Sequence, residues 1–124
     1  MGYITVLDEG GSLCHELTVE LSEQGHLVSL VHDVALGMEL VQLLRPDVLI
    51  IAAPRARTCV ESRLAVLRQI APVIDFTDSV ADSDDGDEAL RACPYCPISA
   101  ATHPSVVIDL VNALLVPYPE EAIR

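Results

Sequence analysis

The sequence contains no tryptophan, and aromatic residues make up only 3% of it, so any hydrophobic core must consist of aliphatic side chains. Basic residues are also few: seven Lys and Arg stand against 19 Asp and Glu, which gives a formal net charge of −12. This excess of acid disfavours direct contact with nucleic acid or with an anionic membrane, because both are negatively charged. Any DNA binding would have to come from another domain or a partner.

Long apolar runs and targeting signals are lacking as well. No segment reaches the roughly 20 apolar residues that a membrane-spanning helix needs. The start of the chain, Met1 to Ile4, leads directly into a strand-like run without the basic region of a signal peptide. The four cysteines are typical of a protein in a reducing cytosol and not of a disulfide scaffold. We therefore expect a cytoplasmic protein.

The order of apolar segments predicts the fold class. Short apolar runs alternate with stretches of helical periodicity, and 51% of the 124 residues are apolar, which is ample for one domain. The predicted strands span 3–7, 26–31, 47–53, 72–76 and 97–100; the predicted helices span 13–24, 35–44, 58–70, a short segment ending near 92, and 104–115. Strands that alternate with helices favour a parallel sheet covered by helices on both faces. We expect one domain over residues 1–116, with 117–124 as a tail or the start of a linker.

The carboxyl ends of the strands in such a sheet form the functional crevice. Four fragments that border or end these strands resemble the receiver domains of two-component response regulators, over about residues 3 to 115. They are Val6 to Glu9 with its acidic pair, Leu44 to Ile51 with Arg-Pro-Asp before the third strand, Pro72 to Thr77 ending in a hydroxyl residue, and His103-Pro104 at the start of the last helix. The resemblance implies a doubly wound, five-stranded parallel sheet of the flavodoxin-like type, with strand order 2-1-3-4-5.

The same resemblance implies that the family's phosphorylation pocket is degenerate here. In the family, two acids and an acceptor aspartate hold Mg²⁺, and a Thr or Ser and a Lys stabilise the transferred phosphoryl group. The acceptor position falls on Ala52 and the lysine position on Ala100, while Asp8, Glu9 and Thr77 remain. A methyl group can neither attack phosphorus nor pair with a phosphate. We therefore predict no aspartyl phosphorylation, no bound metal, no cofactor and no enzymatic activity.

The tetrapeptide Cys93-Pro94-Tyr95-Cys96 resembles the active site of glutaredoxins. In that chemistry the first cysteine lies at a helix N-terminus, where the helix dipole lowers its pKa. Here the motif is predicted to follow a short helix and to precede the fifth strand, an arrangement that disfavours a thiolate. The alternatives are a proline-stiffened loop, a regulatory disulfide, and half of a metal site shared across a dimer. The four histidines show no metal-binding spacing.

Asp75 is a carboxylate inside an otherwise apolar predicted strand. A buried carboxylate needs a partner, because burying it bare costs several kcal/mol. Side-chain alternation places it on the same side of the sheet as Thr77. We expect its partner to be Arg55, Arg57 or the end of a neighbouring helix.

These patterns favour a pseudo-receiver, a non-catalytic domain that acts in signal transduction or transcriptional regulation through protein–protein contact. Its expected partner is a kinase, an output domain or a second copy of the chain. In receivers the contact surface commonly lies around the fourth helix, fifth strand and fifth helix, which here includes Ile98, Val106, Val107 and Leu110. The alternative is a redox- or metal-responsive regulatory domain that uses Cys93 and Cys96.

Overall fold

The computed structural model describes residues 2–9, 15–53, 55–76, 94–99 and 102–115. In these ranges five strands and four helices follow one another: β1 Tyr3–Asp8, α1 His15–Glu23, β2 Leu27–Val31, α2 Val34–Leu44, β3 Val48–Ala52, α3 Arg57–Arg68, β4 Val73–Phe76, β5 Tyr95–Ile98 and α4 Pro104–Leu115. The predicted short helix ending near residue 92 and the tail 117–124 lie outside the described residues. No helix in the described ranges has the length and apolar character needed to cross a bilayer.

All strand pairs are parallel, and the sheet order is β2-β1-β3-β4-β5. This confirms the predicted doubly wound α/β fold with order 2-1-3-4-5. The register pairs Asp8 at the end of β1 with Ala52 at the end of β3. The carboxyl ends of the two central strands therefore meet at one edge of the sheet.

The core consists of two aliphatic layers, one on each face of the sheet. On one face, α1 and α4 pack against side chains such as Ile4, Ile50 and Ile74; we call this the α1/α4 layer. On the other face, α2 and α3 pack against Leu7, Leu49 and other side chains of the strands, and we call this the α2/α3 layer. All five residues of β3 are buried. A strand that is buried on both faces has to be apolar throughout, which explains its sequence, VLIIA.

Side-chain capping explains the start of the second helix but not that of the third. Asp33 comes just before the apolar helical pattern, which predicts that it caps the second helix. This is confirmed, since its side chain accepts a hydrogen bond from the backbone N–H of Leu36 at 3.1 Å. Thr58 and Glu61 form a capping-box pattern that predicts a cap at Thr58, and this prediction is wrong. The third helix already begins at Arg57, and its N-cap position is Ala56, which makes no side-chain hydrogen bond.

The fifth strand lies earlier in the chain than predicted. It spans Tyr95–Ile98 and not residues 97–100, and the backbone N–H of Val73 donates to the carbonyl of Pro94 just before it. Proline lacks a backbone N–H and is therefore tolerated in an edge strand. β5 is such an edge, so Pro97 can lie within it. As a result, half of the Cys-Pro-Tyr-Cys motif belongs to the sheet.

Candidate functional site

The structure brings three of the predicted pocket residues together at the carboxyl ends of β1 and β3. Asp8 and Ala52 are each only 1% exposed and are partners in the β1–β3 register. The backbone N–H of Glu9 donates to the carbonyl of Ala52 at 2.9 Å, which continues the pairing one residue further. Thr77 and Ala100, the other two predicted pocket residues, lie outside the described part of the chain.

The carboxylate of Glu9 is already engaged with the backbone of the segment that follows β3. Its Oε1 accepts a hydrogen bond from the N–H of Arg55 at 2.7 Å. A carboxylate oxygen that accepts such a short bond from a backbone donor is held in one orientation. Glu9 therefore ties the end of β1 to the segment that follows β3, a role that the sequence did not indicate.

His32 is a further residue of this edge that sequence reasoning missed. Its Nδ1 lies 3.0 Å from the backbone carbonyl oxygen of Asp8. A carbonyl oxygen can only accept, so Nδ1 carries the hydrogen and donates it. His32 follows β2 directly, and β2 is the neighbour of β1, so strand order was the available signal for this contact.

The residues of this edge do not fit the Mg²⁺ ion that the receiver fold implies. Mg²⁺ takes six oxygen ligands in near-ideal octahedral geometry. Here the position opposite Asp8 has only the methyl group of Ala52, and one oxygen of Glu9 serves the Arg55 backbone. Within the described ranges no group of three or more His, Cys, Asp or Glu side chains could hold a metal ion. We derive no chemistry through a cation at this edge.

Asp75 has a partner that the sequence did not indicate. Its side chain is 0% exposed, and its Oδ2 accepts a hydrogen bond from the phenol O–H of Tyr95 at 2.7 Å. The register places Tyr95 beside Val73, which lies two residues before Asp75 and points to the same side of the sheet. A tyrosine at this diagonal position is long enough to reach the carboxylate.

Arg68, the last residue of α3, extends this arrangement to a third element. Its guanidinium lies 5.3 Å from the centre of the Tyr95 ring, within the range of a cation–π contact. Tyr95 thus contacts α3 through its ring and β4 through its hydroxyl. The three residues, which we call the Asp75–Tyr95–Arg68 chain, join β4, β5 and α3.

Cys96, the second cysteine of the Cys-Pro-Tyr-Cys motif, points to the opposite face of the sheet from Tyr95. It is half-buried and packs against the α1/α4 layer. Desolvation by burial raises the pKa of its thiol. Cys93 lies outside the described residues. A half-buried cysteine with a raised pKa has the character of a packing residue and not of a redox nucleophile.

This environment predicts slow alkylation of Cys96. Because the thiolate is the reactive form, we expect its reaction with iodoacetamide at pH 7 to be slower than that of glutathione, by about a factor of ten. The rate should rise with pH through the neutral and alkaline range and level off at a higher pH than that of glutathione, since the folded-state pKa is raised. Peptide mapping by mass spectrometry at several time points measures it, and unfolding in urea should remove the difference. Alkylation as fast as that of glutathione in the folded chain would contradict this expectation.

The predicted interaction face is only partly on the surface. Val106 is 53% exposed, and Ile98 and Leu110 are half-buried where they pack against the α1/α4 layer. Val107 is only 1% exposed and belongs to the core, so its assignment to the surface was wrong. Neighbouring residues of a helix point about 100° apart, which is why Val106 and Val107 differ.

Comparison with known proteins gives structural neighbours and no sequence relatives. No family model and no curated protein matches the chain. A response regulator receiver protein from Burkholderia phymatum is similar with a TM-score of 0.66 at 19% identity, over 93% of this chain and 95% of that one. The pseudo-receiver domain of the CikA protein is similar with a TM-score of 0.62 at 18% identity, over 95% of this chain and 100% of that one. NtrX from Brucella abortus is similar with a TM-score of 0.65 at 13% identity, over 92% of this chain but only 26% of that longer chain.

The similarity to each of these neighbours extends over 92% or more of this chain. At such low identity the likeness concerns the fold and not the site. The chain has the fold of the response-regulator receiver domains.

Proposed function

We propose that this chain is a pseudo-receiver: a non-catalytic signalling domain that works through protein–protein contact, without aspartyl phosphorylation. The observation that carries the proposal is Ala52. It occupies the end of the central strand β3, directly opposite Asp8, where a receiver has its acceptor carboxylate. A side chain that ends in a methyl group has no lone pair with which to attack phosphorus.

The absence of lysine from the sequence supports the proposal without any alignment. A receiver uses a lysine to balance the charge of the transferred phosphoryl group. The present sequence contains no lysine, because all seven of its Lys and Arg residues are arginine. No shift of register can therefore place a lysine in the pocket. This sequence signal is stronger than the single substitution at Ala100.

Other described acids that could replace the acceptor are engaged elsewhere. Asp47 lies at the amino end of β3, where its Oδ2 accepts a hydrogen bond from the N–H of Tyr3 at 2.9 Å. Asp75 is buried against Tyr95 within the sheet. Both carboxylates thus have structural roles. Asp75 is the register partner of Ile51 and so points to the opposite face of the sheet from Ala52.

The expected partner is a protein: a kinase, an output domain or a second copy of the chain. Two observations support this. The similar region of NtrX is 26% of a longer chain, so this fold does occur joined to further protein. The exposed Val106 and the half-buried Ile98 and Leu110 supply an apolar edge near β5 and α4.

A cytosolic location fits the cysteine content and the acidic composition.

Phosphorylation chemistry tests the proposal directly. We expect no mass increase when the chain is incubated with acetyl phosphate and Mg²⁺, and no chemical-shift change at Asp8 or Ala52 with beryllium fluoride and Mg²⁺. A conventional receiver domain treated in the same reaction mixture provides the positive control. A stable phosphoryl adduct, located on any carboxylate by fragmentation, would overturn the proposal.

A further inference from the structure

Helix α2 is apolar on a side that does not face the sheet. Its buried residues, Val34, Gly37, Met38 and Val41, pack towards the α2/α3 layer. Yet Leu43 is 78% exposed, and Leu36 and Leu44 are each 50% exposed. Three of the seven large, exposed hydrophobic residues in the described ranges thus lie on this one helix. Leu36, half-buried Leu40, Leu43 and Leu44 form what we call the leucine face.

The spacing of the leucine face matches the contact surface of a single helix. Leu36, Leu40 and Leu44 follow one another at intervals of four residues, and Leu43 lies seven residues after Leu36, so all four are surface neighbours. At 1.5 Å per residue the face extends for about 12 Å, or just over two turns. Amphipathic helices bind their targets through anchors with this same spacing. A contiguous exposed apolar surface of this kind is typical of an interaction site.

The charge around the leucine face favours a basic partner. Glu39 lies three residues after Leu36 and four before Leu43, so it borders both leucines. Between residues 33 and 47 there are three acids, Asp33, Glu39 and Asp47, and one base, Arg45. The whole chain carries a net charge of −12, and this charge attracts a cationic partner over long distances.

A second copy of the chain is a poorer fit for this face. Each copy carries the same net charge of −12, so two copies repel one another. A standard stable interface also involves about 20–30 residues on each side, far more than two turns of one helix provide. The small area suits the transient docking of a single helix.

We propose that the leucine face docks an amphipathic helix of a partner protein, with the apolar side of that helix on the leucines and Lys or Arg along its flanks. This surface lies on α2 and is separate from the proposed contact residues Ile98, Val106 and Leu110 of β5 and α4. The proposal does not depend on the state of the phosphorylation pocket. Its failure would leave the pseudo-receiver proposal unaffected.

Two synthetic peptides test the proposal on the full chain. Both have about 15–20 residues and leucines at helical spacing, and they differ only in their polar positions, which are all Lys in one and all Glu in the other. We expect fluorescence anisotropy to show binding of the labelled Lys peptide and none of the Glu peptide. The double variant Leu36→Ser, Leu43→Ser should weaken binding of the Lys peptide about tenfold. Glu39→Lys should weaken it as well, through charge alone.

The matched control is the double variant Val19→Ser, Val66→Ser, which changes two other exposed apolar residues, 44% and 51% exposed, on α1 and α3. It should change binding of the Lys peptide by less than about twofold. Circular dichroism of every variant checks that the fold is retained. If the leucine double variant and the control double variant bind the Lys peptide equally well, the attraction is a nonspecific one to an acidic chain, and the proposal is overturned. Binding of neither peptide would overturn it too, as would a dimer in sedimentation analysis that Leu36→Ser, Leu43→Ser dissociates.

Discussion

Ala52→Asp is expected to lower the free energy of unfolding by about 3–5 kcal/mol at pH 7. The substitution introduces an aspartate at the proposed acceptor position, the end of β3. This place is 1% exposed and lies opposite the equally buried Asp8. Neighbouring strands are about 4.8 Å apart, so the new carboxyl group would lie close to that of Asp8. Burial and a second carboxyl group both oppose ionisation. Urea denaturation of the variant and the parent chain measures the loss.

Ala52→Asn is the matched control, because asparagine has the size of aspartate without its charge. We expect it to cost less than Ala52→Asp at pH 7. The introduced carboxyl group has a folded-state pKa above its unfolded value of about 3.9, so its penalty is full at neutral pH and declines as the pH falls towards the unfolded pKa. The difference between the two variants should therefore narrow between pH 7 and pH 4.5. Equal losses at all pH values would indicate a polar, hydrated pocket that still accepts an acid, which would contradict the proposed absence of a phosphorylation site.

Tyr95→Phe is expected to lower the free energy of unfolding by about 1.5–3 kcal/mol. The substitution removes only the hydroxyl group, but it removes the donor at 2.7 Å from the fully buried carboxyl group of Asp75. A buried acceptor that loses a donor loses part of the compensation for its desolvation. The Arg68 guanidinium still lies over the ring of the phenylalanine, so the cation–π contact is retained and the measured loss belongs to the hydrogen bond.

Tyr3→Phe is the matched control for Tyr95→Phe. The Tyr3 hydroxyl bonds the neutral hydroxyl of Ser29 at 2.9 Å, so its removal should cost only about 0.5–1.5 kcal/mol. A double-mutant cycle with Asp75→Val isolates the coupling between Tyr95 and Asp75, which we expect to be about 1–2 kcal/mol. A coupling near zero in urea denaturation would mean that the two groups act independently, and the Asp75–Tyr95–Arg68 chain would then have no energetic role.

A good part of the fold could be predicted because its signals are local. Apolar runs such as VLIIA in β3 and the helical spacing of the leucines in α2 can be read from neighbouring residues alone. The cap at Asp33 is equally local, since donor and acceptor are three residues apart. The errors at Thr58 and in β5 arose at element boundaries, where backbone pairing competes with local propensity. The prediction begins the fifth strand at Pro97, whereas the edge position of β5 allows this proline to lie inside the strand.

Some features of the candidate site could likewise be predicted from the sequence, and others could not. The placement of Ala52 opposite Asp8 follows from the order and length of β1 and β3, and the absence of lysine is a property of composition. The contact of Glu9 with Arg55 joins residues 46 apart in the chain, and that of Tyr95 with Asp75 joins residues 20 apart. Such contacts depend on register and side-chain reach, which no local pattern encodes.

The sequence by itself determined the alternation of strands and helices, the aliphatic core, the alanine at the end of the central strand, and the absence of lysine. These features depend on residue type and spacing, which act over a few neighbouring positions. Only the tertiary structure decided that Tyr95 is a partner of Asp75, that Val107 is buried beside exposed Val106, and that Glu9 serves the Arg55 backbone. Each of these depends on which distant segments the parallel sheet brings side by side, and on which side of a strand or helix each residue then faces.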